Sequence, residues 1–114
     1  MDIERFAAGL PTLFEDFPSS PHPRGTRFDD VLARTPNLAE ENVLALLNLA
    51  ASLLAPGESY VEVGSYFGAS LIGAMRGNDG DFVAIDRLQW LDSYDRRRYD
   101  PVRARVTGRA ARSR

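Results

Sequence analysis

Cysteine and lysine are both absent from this chain of 114 residues. Without cysteine, neither a disulfide framework nor a thiolate metal site can form. Long hydrophobic runs are missing too, because residues 43–54, the longest apolar block, are interrupted by Asn48 and Ser52 and are too short to span a bilayer. The first ten residues hold acids and no apolar run of signal-peptide length. These absences predict a soluble, cytoplasmic protein with one modest core and no membrane partner.

The charge is unevenly distributed along the chain. All 14 basic residues are arginines. Residues 96–114 hold eight arginines and one acid, a net charge of +7, whereas residues 1–95 hold six arginines and 15 acids, a net charge of −9. The basic segment has no apolar periodicity, so a disordered Arg-rich tail is predicted there. Phosphate binding by these arginines is an alternative, but Tyr99 is their only aromatic neighbour, which disfavours a nucleic-acid partner.

Residues 1–36 form a loop-rich segment in this interpretation, because five of the seven prolines lie there. Short helical pieces are predicted at residues 3–8 and 28–34. Another short helix is predicted at residues 88–94, beyond the central region.

A largely buried helix is predicted next. Asn37 stands three residues before Glu40, a spacing that resembles a capping box at a helix start. Residues 43–54 are almost all apolar, and the pattern puts Glu41, Asn48 and Ser52 on one narrow solvent-facing stripe.

A strand, a helix and a second strand follow within 28 residues. The β-rich runs SYVEV at 59–63 and DFVAI at 81–85 flank a helical pattern at 69–76. This order is typical of a βαβ unit, in which the two strands are parallel.

The turn after the first strand contains Gly64 and Gly68, and Asp86 ends the second strand. Glycine permits a sharp turn and allows a ligand to approach the backbone closely. An acid after the second strand is where a nucleotide-binding βαβ unit accepts hydrogen bonds from ribose hydroxyls. A dinucleotide site would need a glycine in the middle of the turn. Tyr66 occupies that position, which disfavours a bound pyrophosphate.

The pattern E-x-G-x-x-x-G at residues 62–68 resembles motif I of the class I S-adenosylmethionine-dependent methyltransferases. DFVAID at 81–86 resembles their second motif, and residues 34–75 resemble the bacterial branch in which a buried helix precedes the first strand. The resemblance spans residues 34–86. It implies an α/β Rossmann-like methyltransferase fold, here truncated to a leading helix plus one βαβ unit, and S-adenosylmethionine as cofactor.

The resemblance also implies roles for two acids and a serine. Glu62 would lie near the ammonium group of the methionine part, Ser70 would help to hold its carboxylate, and Asp86 would accept the ribose hydroxyls.

Four turn residues complete the implied cofactor site. Gly64, Ser65 and Tyr66 would form the loop under the cofactor, and Gly68 would admit its amino-acid end. No catalytic residue and no metal ligand is predicted, and the methyl acceptor is not identified.

Family members are about twice this long, so the hypothesis is a truncated or frame-shifted methyltransferase. Its parts would be the segment 1–36, a Rossmann-like cofactor-binding fragment at 37–95 and the tail at 96–114. The alternatives are a non-catalytic nucleotide-binding or interaction module and a basic-tailed nucleic-acid binder. A sheet of only two strands would leave apolar side chains uncovered and favour self-association. Those side chains are Val61, Val63, Phe82, Val83 and Ile85.

Overall fold

The computed structural model describes residues 1–86, which form a small α/β domain. The helix at 88–94 and the disordered tail at 96–114 are predictions that lie outside the described residues. In chain order, the elements are α1 (Ile3–Leu13), α2 (Asp29–Arg34), α3 (Glu41–Ser52), β1 (Ser59–Val63), α4 (Ala69–Met75) and β2 (Asp81–Ile85).

The two strands pair in parallel, as the order of elements predicts. Val61 lies opposite Val83, and Val63 lies opposite Ile85. Both strands have the predicted bounds, because each β-rich run is closed by glycine or a polar residue on both sides. The carboxyl ends of β1 and β2 therefore meet at one edge of the sheet, where the glycine turn and Asp86 are located.

Helix α3 lies at the centre of the packing. Leu44, which is fully buried on α3, packs in a core cluster with residues of α2 and α4. A second cluster joins Ala51 of α3 to α4 and to Phe82 of β2. The helices α3 and α4 approach closely, because a Cβ added at Gly73 would stand 2.7 Å from the Cγ of Leu44. Even alanine at this position would require the Leu44 side chain or the helices to shift.

Asn48 is buried, which corrects the solvent-facing stripe predicted for α3. Its Nδ2 donates to the carbonyl oxygens of Gly73, at 2.8 Å, and of Arg76, at 2.7 Å. The carbonyl of Gly73 also accepts the N–H of Arg76, at 3.3 Å. Asn48 adds a second donor at the end of α4, where helix carbonyls commonly lack partners. Ser52, about one turn farther along the same predicted stripe, is exposed as expected.

The start of α3 also differs from the sequence prediction. Asn37 does not cap this helix: its Nδ2 donates to the carbonyl oxygens of Leu32, at 2.9 Å, and Thr35, at 2.7 Å. Asn37 therefore caps the carboxyl end of α2, where helix carbonyls need donors from outside the helix. Helix α3 begins after Glu40, whose side chain makes no capping hydrogen bond.

The N-terminal segment is more ordered than its prolines suggest. The predicted piece at 3–8 extends to Leu13, with Asp2 accepting the N–H of Arg5 at 3.0 Å as an N-cap. Farther along, the guanidinium of Arg76 makes a two-pronged ion pair with Asp30, with both contacts at 2.6 Å. Hydrogen bonding to Arg76 lowers the pKa of Asp30 to about 2. This pair ties the start of α2 to the end of α4.

Among residues 1–86, one face of the sheet packs on the helices and the other is uncovered. Phe82 is buried under α3 and α4, so its predicted exposure is wrong. The alternation of a strand places it on the covered face. Four side chains do remain exposed on the opposite face, as predicted: Val61, Val63, Val83 and Ile85.

Candidate functional site

The turn between β1 and α4 has a backbone that only a glycine-containing sequence adopts readily. Gly64, Tyr66 and Gly68 all have positive φ, at +78°, +51° and +85°. Gly64 still donates its N–H to the carbonyl of Ile85, at 2.8 Å, which extends the strand pairing by one residue. A Cβ added at Gly64 would meet no atom within 4 Å. Its conformation, rather than crowding, therefore requires glycine.

A cleft of about 170 Å³ lies against this turn. One wall is the turn and the start of α4, and the other is the segment at residues 36–39. Ligand pockets of drug-sized molecules are typically about 300–1,000 Å³. The cleft is therefore large enough for one end of a nucleoside-sized ligand and not for all of it. Its lining residues are Pro36, Asn37, Leu38, Ala39, Gly64, Ser65, Tyr66, Phe67, Ala69 and Ser70.

Ser65 carries an unsatisfied hydroxyl in the wall of this cleft. Its side chain is buried, and its Oγ has no hydrogen-bond partner in the part of the chain that the structure describes. Buried polar atoms are nearly always hydrogen-bonded, and leaving one unpaired costs about 1–3 kcal/mol. The missing partner would have to be a ligand, a water molecule or a residue outside 1–86.

Glu62 is held in place by two hydroxyl groups. Ser70 donates to its Oε1 at 2.8 Å, and Tyr60 donates to its Oε2 at 2.9 Å. Burial and the neighbouring carboxylate raise the pKa of Tyr60, which keeps its hydroxyl protonated as a donor. A carboxylate has about four acceptor sites, so Glu62 can still accept from a cation.

This arrangement changes the role expected for Ser70. A serine hydroxyl has one proton, and Ser70 gives it to Glu62, since a carboxylate only accepts. Ser70 therefore orients Glu62 and has no proton left with which to hold a ligand carboxylate.

Asp86 is joined to the turn through the backbone. Its Oδ2 accepts the N–H of Tyr66 at 2.8 Å. A non-glycine residue at positive φ is strained and needs support from its surroundings. The hydrogen bond to Asp86 provides that support, so the end of β2 fixes the shape of the turn after β1.

The structure thus brings the predicted residues together in two ways. Gly64, Ser65, Tyr66 and Ser70 line the cleft, whereas Glu62 and Asp86 reach it through hydrogen bonds to the lining residues. Gly68 is the N-cap of α4 beneath the turn.

Sequence reasoning missed the wall at residues 36–39. Leu38 is 92% exposed at this wall, the largest exposed fraction among the big hydrophobic side chains in residues 1–86. A leucine in the polar stretch TPNLAEEN was the available signal, because an apolar residue in a polar turn has no local reason to be there.

Within residues 1–86, no group of three or more His, Asp or Glu side chains is arranged to hold a metal ion. None of the helices in that range is long and apolar enough to cross a membrane. No protein-family model, curated protein or solved structure matches the chain. The case for a function therefore rests on the geometry and chemistry of the cleft.

Proposed function

We propose that this chain binds S-adenosylmethionine. The cleft would be the half of a class I methyltransferase cofactor site that the first strand, the glycine turn and the second strand provide. The observation that carries the proposal is the unsatisfied hydroxyl of Ser65 in the wall of the cleft. Its position in the turn that resembles motif I supports a ligand at this place rather than a chance packing defect.

The charges around the cleft support the same ligand. S-adenosylmethionine has an ammonium and a carboxylate at one end, a ribose with two free hydroxyls, and no phosphate. Glu62 offers a carboxylate to the ammonium, and Asp86 offers one to the ribose hydroxyls. An anionic phosphate beside these two acids would be repelled, which favours a phosphate-free cofactor over a nucleotide.

The volume of the cleft limits which part of the cofactor it can hold. About 170 Å³ accommodates the amino-acid end and leaves the adenine uncovered by the described residues. When bound, the cofactor would supply an activated methyl group for in-line displacement at sulfonium. The residues of this chain bind and orient one end of it, and orientation is the main contribution of an enzyme to such a displacement.

The Ser65→Ala variant should bind S-adenosylmethionine roughly threefold to tenfold more weakly than the wild type, the loss expected for one neutral hydrogen bond. Its free energy of unfolding without ligand should be unchanged or higher, because the variant removes a buried unsatisfied group. Isothermal calorimetry and urea denaturation measure the two quantities.

Ser59→Ala is the matched control, since Ser59 is exposed at the opposite end of β1. It should alter neither affinity nor stability. If Ser65→Ala lowers stability and leaves the affinity unchanged, the hydroxyl is structural and the main support of the proposal is lost.

Asp86→Ala should weaken S-adenosylmethionine binding by about tenfold to 150-fold, the range for hydrogen bonds to a charged group. Because Asp86 also accepts the N–H of Tyr66, the variant loosens the turn as well. Titration with L-methionine, which has no ribose, separates the two effects. A direct contact predicts a large loss for S-adenosylmethionine and a small one for L-methionine.

Asp86→Asn gives a second comparison, because an amide oxygen still accepts the N–H of Tyr66. It should retain the thermal stability of the wild type and lose affinity for the ribose-containing ligand. Equal affinities of all three proteins for S-adenosylmethionine would remove Asp86 from the site. Undetectable binding to the wild type would contradict the cofactor assignment itself and favour a non-catalytic interaction module.

A further inference from the structure

Leu38 stands at the mouth of the cleft, on the wall opposite the glycine turn. It is one of the residues that line the cleft, and yet 92% of it is exposed to solvent. A side chain that meets both descriptions lies where the cleft opens to water. Within residues 1–86, Leu38 belongs to neither of the two buried core clusters, so packing in this part of the chain does not explain its presence there.

The residues on either side of Leu38 are fixed to the domain. Asn37 donates to the carbonyl oxygens of Leu32 and Thr35, and Ala39 packs against the core cluster. Leu38 is therefore displayed between two anchored neighbours. A leucine held in water forgoes the free energy that burial of its side chain provides, and a ligand at the mouth of the cleft would restore it.

The two walls of the cleft differ in chemistry. The turn carries the hydroxyl of Ser65, and Ser70 leads from it to the carboxylate of Glu62. Three of the four residues at 36–39 are apolar, and the fourth, Asn37, donates its amide to carbonyls of the preceding segment. A ligand in the cleft therefore meets polar groups on one side and an apolar surface on the other, the combination that is usual in small-molecule sites.

The size of the cleft decides which part of a ligand reaches Leu38. This step rests on the proposed function, in which the amino-acid end of S-adenosylmethionine occupies the volume of about 170 Å³. The adenosyl part then leaves through the mouth and passes Leu38. Contact between its carbon atoms and the leucine removes both from water. One side chain at the mouth touches the adenosyl part without enclosing it.

We propose that Leu38 contacts the adenosyl part of S-adenosylmethionine at the mouth of the cleft, and that the site selects this ligand over free methionine through that contact. L-Methionine has only the part of the ligand that the cleft holds, so it gains nothing from Leu38. Loss of the leucine side chain should therefore lower the affinity for one ligand and leave the affinity for the other unchanged.

Isothermal calorimetry of the Leu38→Ala variant measures this selectivity. The variant should bind S-adenosylmethionine about fourfold to 15-fold more weakly than the wild type, since each buried methylene group contributes about fourfold. Its affinity for L-methionine should be unchanged. Because Leu38 is exposed, urea denaturation should give the variant the stability of the wild type.

Ile3→Ala is the matched control for both ligands. Ile3 is 72% exposed on α1 and is not among the residues that line the cleft. The substitution also shortens an exposed aliphatic side chain, so it should leave both affinities at the wild-type values.

The absence of cysteine allows the contact to be observed directly on the full chain. Leu38→Cys places a single thiol at the mouth of the cleft. Its reaction with a maleimide should slow severalfold when S-adenosylmethionine saturates the protein, and L-methionine should not slow it. The thiol of Ile3→Cys should react at the same rate with and without either ligand.

The possible results separate the role of Leu38 from the proposed function. If S-adenosylmethionine binds the wild type and Leu38→Ala equally well and does not protect the thiol at position 38, the role of Leu38 is wrong and the proposed function stands. An equal loss of affinity for both ligands would place Leu38 against the amino-acid end and would also overturn its role. If the wild type binds neither ligand, the proposed function fails and the role of Leu38 fails with it.

Discussion

The Asn48→Leu variant should lose about 2–4 kcal/mol of its free energy of unfolding, a large part of the 5–15 kcal/mol typical of a small domain. Leucine has the same branched four-atom side-chain skeleton as asparagine and a larger volume, so the loss does not come from a cavity. It comes from the carbonyls of Gly73 and Arg76, which would lose the Nδ2 donor in an interior or half-buried setting. The Nη2 of Arg27, which donates to the Oδ1 of Asn48 at 3.3 Å, would lose its acceptor as well.

Ser52→Ala on the same helix is the matched variant for this measurement. The hydroxyl of Ser52 is exposed and donates only to the carbonyl of Leu49 in its own helix. Its removal should change the free energy of unfolding by less than about 0.5 kcal/mol. Urea denaturation followed by circular dichroism gives both values. If both variants changed the free energy of unfolding equally and by little, Asn48 would be solvent-facing, as the sequence pattern predicts, and the buried hydrogen bonds would be contradicted.

The difference between Asn48 and Ser52 shows what a sequence pattern contains. The pattern groups Asn48 and Ser52 on one side of α3, but the prediction that this side meets water is wrong at Asn48. Here α4 ends beside Asn48, and its carbonyls take the place of water. That contact joins residues 25–28 positions apart, and no local rule predicts it.

Local signals predicted the strands and the turn well. The β-rich runs are short and closed at both ends, so the bounds of β1 and β2 and their parallel pairing followed directly. The positive φ at Gly64 and Gly68 follows from the residue type. Tyr66 is different, because its residue type does not favour a positive φ and its N–H is held by the carboxylate of Asp86, which is 20 residues away.

The residues predicted for the site lie close together in the structure. The hydrogen bonds that join them were predicted only in part. Glu62 was expected near the ammonium group, through water, and Asp86 at the ribose hydroxyls. The structure also gives each a hydrogen bond within the chain, because Glu62 accepts from Ser70 and Asp86 accepts from the N–H of Tyr66. The wall at 36–39 was not predicted, because loops pack according to the elements they cross. The prediction that Phe82 is exposed was wrong for a similar reason. Alternation separates the two faces of a strand but does not tell which face the helices cover.

Methyl transfer by the purified chain should not exceed the uncatalysed rate, even where S-adenosylmethionine binds. The cleft holds about 170 Å³ of ligand, and the described residues place no second wall over the remainder. A bound donor that is fixed at one end only is not aligned with a nucleophile. Alignment lowers the activation barrier by up to roughly 7–11 kcal/mol in favourable cases, which corresponds to about five to eight orders of magnitude in rate.

A radiolabelled methyl-transfer assay with small hydroxyl, amine and sugar acceptors tests this expectation, and an active methyltransferase with its own acceptor checks the assay. Turnover that Ser65→Ala reduces would show that a complete site is assembled around this cleft. Its dependence on concentration would then identify the source of the second wall. A specific activity that rises with protein concentration would mean that a second copy completes the site. A constant specific activity would mean that residues 87–114 of the same chain complete it.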